Sequence, residues 1–287
     1  MKHLPVAGVV LLLCGCAAAT GGVRSDGARP VAPLSAAEQA RIEDVERVGR
    51  VLYEKDIRAA VASDLLRAEA GPDVRPGFVG WVTYPNGSDY TVSFYERSGE
   101  TDRVIADVAF NGSTPPRLTI DPDRSPSETE VSMIRARIAA LEAGRNACSD
   151  RFNTVVVPGI SPDRWEVYVL AANTNPRKVQ LGGHVRVSVA KDDGRVIETF
   201  NLSNTCLALD KMPEDLPEGA SPRILFATHL VSDLPVAIHP YLSLLHKMPL
   251  AIQTRRGLWI VEDGRVTLYR GRTRQSPAER GGEAPTL

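Results

Sequence analysis

The sequence predicts an α+β fold: antiparallel β-meander sheet packed with a long N-terminal helix and a second helix near residues 126–144. Three observations carry this. Apolar residues recur at helical spacing from Ser35 to Ala70, whereas most segments after Phe78 alternate with period two. Turn signals at Pro85-Asn86-Gly87, Asp193-Gly194 and Asp263-Gly264 join those segments as hairpins. Strands that follow one another without an intervening helix argue against a doubly wound parallel sheet.

The first helix opens on a capping box, Ser35 with Glu38, and stops at Gly71-Pro72. Gly49 leaves open whether this is one helix or two. "GFVGWVTYPNGSDYTVSFYER" reads as a hairpin, and "RVIADVAF" and "RLTI" continue the meander. Ser125 then offers an N-cap, with Pro126 at the first helical position and Glu128 at the third. Strand signals return in "FNTVVVP", "WEVYVLAA", "GGHVRVSVAKDDGRVIETF", "RILFATHL", "VAIHPYLSLL", "LAIQT" and "LWIVEDGRVTLY". "LDKMPEDLPEGASP" reads as a proline-rich surface loop or domain linker. The implied organisation is a signal peptide over 1–15, a flexible tether over 16–34, a globular region over 35–269 and a disordered polar tail over 270–287. The globular region could divide into 35–121 and 122–269.

Hydrophobic residues at 43% and charged residues at 24% are ordinary for a globular chain. The net charge of -1 gives no electrostatic footprint for nucleic acid, so none is expected as a partner.

The N-terminus carries an address. Lys2 and His3 precede a mostly apolar run, Leu4 to Leu13, well short of the roughly 20 residues a membrane-spanning helix needs. Leu13-Cys14-Gly15-Cys16 follows, and it resembles the lipobox of bacterial lipoprotein precursors. The resemblance implies removal of Cys14 with the signal peptide and acylation of Cys16 by diacylglycerol and palmitate-type chains, anchoring the chain to a bilayer. Ala17, in place of an inner-membrane retention aspartate, implies the periplasm-facing leaflet of the outer membrane. Ordinary secretory cleavage near Ala17-Ala18-Ala19 is the alternative, and it exports the chain as well. Stretches of the body such as "CSDRFNTVVVP" and "GGHVRVSV" resemble uncharacterised conserved bacterial proteins, a likeness that transfers no site.

Export leaves Cys148 and Cys206 as a lone pair in an oxidising compartment, and a disulfide is expected between them. Closing a loop of that length contributes about 4 kcal/mol on the chain-entropy model.

Catalytic patterns fail in turn. No nucleophile elbow, zinc helix, phosphate loop or dinucleotide glycine signature occurs. Ser188-Val189-Ala190-Lys191 matches S-x-x-K, but on an alternating segment the two side chains take opposite faces. Asp121, Asp123 and Ser125 begin like a calcium loop, yet Pro126 stands where glycine is required and Ser132 where glutamate is. His184 reads as the exposed side of an amphipathic strand, while Trp81, Trp165 and Trp259 read as core.

One constellation remains, "ATHLVSDLPVAIHPYLSLLHKMP". A hairpin centred on Ser232 to Val236 sets His229 opposite His239, with Cβ atoms about 5 Å apart. Two imidazoles at that spacing could share a metal with Asp233 or His246 as a third ligand, or serve catalysis. Against this stands a purely structural role. The favoured expectation is therefore a lipid-anchored envelope protein that binds a protein or glycan partner or is structural, with no cofactor. The alternatives are a metal-assisted hydrolase using His229, His239 and Asp233, and a small-ligand carrier or sensor.

Overall fold

The structure is a computed structural model and describes residues 32–71, 77–99, 101–112, 114–173, 175–212 and 224–271. The signal peptide, Cys14, Cys16, nearly all of the tether, most of the polar tail and most of the proline-rich linker lie outside the described residues. From Pro33 onward the described residues form one compact unit.

Helix α1 (Ala36–Ala70) is a single helix of 35 residues, opened by the Ser35/Glu38 capping box. Gly49 does not divide it. A Cβ at this position would lie 2.5 Å from Pro240 Cγ and 2.8 Å from the Ala237 carbonyl oxygen, so the glycine admits a neighbouring helix at close range. Gly49→Ala gains about 1 kcal/mol of helix propensity but forces an overlap costing about 1–3 kcal/mol. The expected result is a lower thermal midpoint. An equal or higher midpoint would show that the neighbouring helix is free to retreat.

Strands β1 (Phe78–Asn86), β2 (Asp89–Ser98), β3 (Thr101–Asn111) and β4 (Thr114–Ile120) form an antiparallel meander in that spatial order. Helix α2 (Glu128–Gly144) starts two residues later than expected. Its N-cap is Ser127 and its capping box closes on Glu130, not on Ser125 and Glu128. Ser127-x-x-Glu130 satisfies the same pattern, and Glu130 wins because two other side chains, Arg124 and Tyr95, also hold it. Then come β5 (Phe152–Pro158), β6 (Arg164–Ala171), β7 (Lys178–Gln180), β8 (Val185–Ala190), β9 (Val196–Asn201) and β10 (Ala208–Asp210). Strands β5, β6, β8 and β9 form a second antiparallel sheet, and β7 pairs with β10 as a separate ribbon.

The last stretch departs from expectation. After β11 (Leu225–Thr228) the chain forms helix α3 (Ile238–His246), where "VAIHPYLSLL" reads as strand, and then β12 (Leu250–Gln253), β13 (Leu258–Glu262) and β14 (Arg265–Leu268). Because a helix joins them, β11 and β12 run parallel, while the rest of this third sheet is antiparallel. Ile238, Tyr241 and Leu242 bury one face of α3 at helical spacing, and Pro240 sits within the first turn, where proline costs no hydrogen bond.

Two helices hold the sheets together. The apolar face of α2, with Met133, Ile134, Ala136 and Ala140, packs into one core with Val82, Tyr95 and Val104 of the first sheet and Val167, Val169 and Val187 of the second. The opposite face of the first sheet, with Val92, Phe94 and Val108, receives Ala62 of α1. Helix α1 also reaches the other two sheets. Lys55 Nζ donates to the Val156 carbonyl at 2.8 Å, and Glu46 Oε1 accepts the Val266 N–H at 2.6 Å. Glu38 pairs with Arg256 at 2.6 Å. A polar post stands at its centre, where buried Asp56 accepts from the Tyr241 hydroxyl at 2.8 Å and from Asn153 Nδ2 at 3.1 Å.

Candidate functional site

The two histidines singled out by the sequence do meet, by a different route. His229 follows β11 and His239 is the second residue of α3, so they are not opposed on paired strands. Their ring centroids are 4.7 Å apart and the planes stand at 88°. Both side chains are buried, and with Leu181, Leu202, Leu207 and Ala227 they line a cavity of about 90 Å³. That is room for about three waters at their liquid volume, far below the roughly 300 Å³ at which pockets for drug-sized ligands begin.

Hydrogen bonds fix the protons on these rings. The Val236 N–H, which can only donate, points to His239 Nδ1 at 3.1 Å, so His239 carries its proton on Nε2. Ser232 Oγ donates its one proton to the Leu234 carbonyl at 2.6 Å and lies 2.8 Å from His229 Nε2. His229 Nε2–H is therefore the donor, and Nδ1 is bare. This arrangement opposes the shared metal expected for the pair, and it gives Ser232 no activation by His229. A metal shared between the rings needs a lone pair from each, but the free nitrogen of His239 is protonated. A Ser232–His229 nucleophile pair needs the hydroxyl proton directed at the imidazole, but it is directed at Leu234.

The other proposed ligands stand apart. Asp233 is exposed and pairs with Arg255 at 2.6 Å, so it is not a third ligand. His246 lies at the far end of α3, about 10 Å from His239 along the helix axis at 1.5 Å per residue. Among the described residues no group of three or more His, Cys, Asp or Glu side chains is arranged to hold a metal ion.

His184 is a correction. It is buried, not exposed, because the chain turns at Gly183 (φ 85°) immediately before β8 and His184 escapes the alternation of that strand. Its Nδ1 accepts the Ala171 N–H at 3.1 Å and its Nε2–H donates to the Gln180 carbonyl at 2.8 Å. Burial pushes His184, His229 and His246 down to about 4, and His239 well below the ordinary histidine range, helped by His229 and His184. All four are neutral at pH 7.

Cys148 and Cys206 form the expected disulfide, with Cα atoms 4.9 Å apart. It joins the segment just after α2 to the β9–β10 loop, and that loop contributes Ser203, Asn204 and Thr205 to the cavity wall. Ser188 and Lys191 are separated as expected. Ser188 donates to the Glu166 carboxylate at 2.8 Å, while Lys191 Nζ lies 4.2 Å from the Trp165 ring centroid. Trp165 and Trp259 are core, but Trp81 is only half-buried.

A denser polar group went unread in the sequence. Arg124, from the loop before α2, reaches Asp107 on β3 with Nε and Nη2 at 2.7 Å each, and Glu130 on α2 at 2.8 and 3.0 Å. Tyr95 Oη donates to Glu130 at 2.5 Å, and Ser93 donates to Asp107. Burial would raise the Glu130 carboxyl, but bonds from Arg124, Tyr95 and Ser127 outweigh it and hold it at about 2. A carboxylate this strongly bonded is a poor general base. The group is a joint between sheet and helix.

Compared with protein-family models, curated proteins and solved structures, the chain matches none.

Proposed function

We propose that this chain is an exported lipoprotein, anchored to the periplasmic face of the outer membrane through acylated Cys16, whose α+β body binds an envelope protein or glycan instead of turning over a substrate. The observation that carries the reading is the Cys148–Cys206 disulfide, since such bonds persist in oxidising compartments and the lipobox-like Leu13-Cys14-Gly15-Cys16 directs the chain to one. The proton positions at His229 and His239 favour a binding or structural role over hydrolysis, because each ring is already bonded to its own loop. The cavity beside them accommodates waters more readily than a carried ligand.

A single acyl chain holds a protein marginally, whereas two or three hold it durably. In cells fed labelled palmitate, the wild-type chain is expected in the membrane fraction with label, with Cys148 and Cys206 resistant to alkylation until reduced. Cys16→Ser is expected to be unlabelled and released. Label retained by Cys16→Ser would overturn the anchor, and free thiols in the exported protein would remove the support for the compartment.

A further inference from the structure

Arg137 is an ion without a partner. It projects from the middle of α2, is 6% exposed, and forms no ion pair with any described residue. Its Nη1 donates to the Val79 carbonyl at 2.9 Å, which uses one of five N–H groups. Nε is sealed from solvent with no acceptor, and Nη2 also has none but is not sealed. Leaving a buried cation uncompensated is costly, and a neutral glutamine could donate to Val79 without that cost.

The surroundings are shaped to the guanidinium. β1 carries a register irregularity between Phe78 and Gly80, and Gly80 adopts φ 122° there. A Cβ on Gly80 would fall 2.5 Å from Arg137 Cζ, so only glycine leaves the group its place. The Trp81 ring stacks beside it, with Cζ 4.8 Å from the ring centroid. These contacts fix the plane of the guanidinium and leave Nη2 as the nitrogen that has no protein acceptor and is not sealed. Its N–H groups are charge-assisted donors suited to an oxyanion oxygen. Charge points the same way: among the described residues, the charged group felt at Arg137 is Arg145, another cation. Burial lowers Arg137 to about 10, so it remains charged at neutral pH.

We propose that Arg137 is an oxyanion receptor. A phosphate or sulfate group approaches from the Nη2 side, accepts from Nη2, and is drawn in by the added charge of exposed Arg145. The site is independent of the histidine cavity and does not require the export reading.

The test is titration of the purified full chain with inorganic phosphate and with sulfate, against chloride at equal ionic strength, followed by calorimetry and thermal midpoint. Saturable binding is expected, with a midpoint shift that grows as the logarithm of ligand once it exceeds Kd. Sulfate also stabilises proteins generally by exclusion from their surface, without saturation. Arg137→Gln, which retains a donor for Val79, separates the two and should weaken binding at least tenfold. Arg145→Gln, on the surface, should weaken it severalfold and reduce its salt dependence. Vesicles of phosphatidylglycerol, compared with phosphatidylcholine, distinguish a lipid headgroup from a free ion: Arg137-dependent binding to either source supports the receptor. Absence of saturable binding to free ion and vesicle alike overturns it. So does binding that Arg137→Gln leaves intact, or, where that variant does not fold, binding that Arg145→Gln leaves intact.

Discussion

Arg124→Met lowers the unfolding free energy by about 3–5 kcal/mol, the range for removing one partner of a buried ion pair. The cause is what remains. Asp107 and Glu130 keep their charges inside the joint between β3 and α2, with Ser93 as donor to the one and Tyr95 and Ser127 as donors to the other. Arg124 is 30% exposed at its side chain, so solvent offsets part of the loss and places the effect toward the lower end. Urea denaturation at pH 7 measures it. The signature that separates a joint from a surface pair is partial recovery: Arg124→Met combined with Glu130→Gln should be less destabilised than the two single changes add to, because the second removes a charge the first has orphaned. A loss under about 1 kcal/mol for Arg124→Met would class the contact with ordinary surface pairs.

Acid destabilises this protein well above the pH at which its carboxylates titrate. Three buried histidines, His184, His229 and His239, and half-buried His246 have folded pKa values below the unfolded value of about 6.5. An unfolded chain therefore takes up protons that the folded chain refuses. Their stabilising contribution is complete above pH 6.5 and is lost as the pH falls toward about 4. At about 1.4 kcal/mol per unit, His184 alone accounts for about 3 kcal/mol by pH 4. Asp56 acts in the opposite sense, since burial raises its carboxyl and protonation relieves it, so the net fall is smaller than the histidines alone would give. Glu38 and Glu130, held at about 2, enter only below about pH 4.5. Urea midpoints at pH 7.5, 6, 5 and 4.5 should decline steadily, and His184→Gln should decline less. Midpoints independent of pH across that range would mean that the rings are not sealed from protons in the native state.

Much of this architecture is written in local patterns. The Ser35/Glu38 box, the alternating valines of β6 and β8 and the turn at Asn86-Gly87 each depend on neighbours a few residues apart, and each formed as expected. The disulfide followed from counting thiols. What stayed hidden depends on distant partners. "VAIHPYLSLL" is short enough to suit either period, and it became a helix because α1 offers a gap at Gly49 that Pro240 fills. His229 and His239 met although the hairpin meant to join them does not exist, because a tight turn into α3 returns the chain just as a hairpin would. β7 and β10, three residues each, are too short for any period to register. Neither Arg124 nor Arg137 could be singled out, since the direction of an arginine in a loop, or its isolation on a helix, is decided by what surrounds it in space.

Helix α1 is made first and anchored last. Its opening turn is tied to Arg256, 218 residues later in the chain, and Glu46 waits for the backbone of Val266. A chain made from its N-terminus therefore completes its longest helix before the residues that tie down its first turns exist, and local contacts alone cannot secure it. The order of synthesis makes the final hairpin, β13 and β14, the step that completes the third sheet, and a chain interrupted before it would leave Glu46 without the Val266 N–H it accepts from.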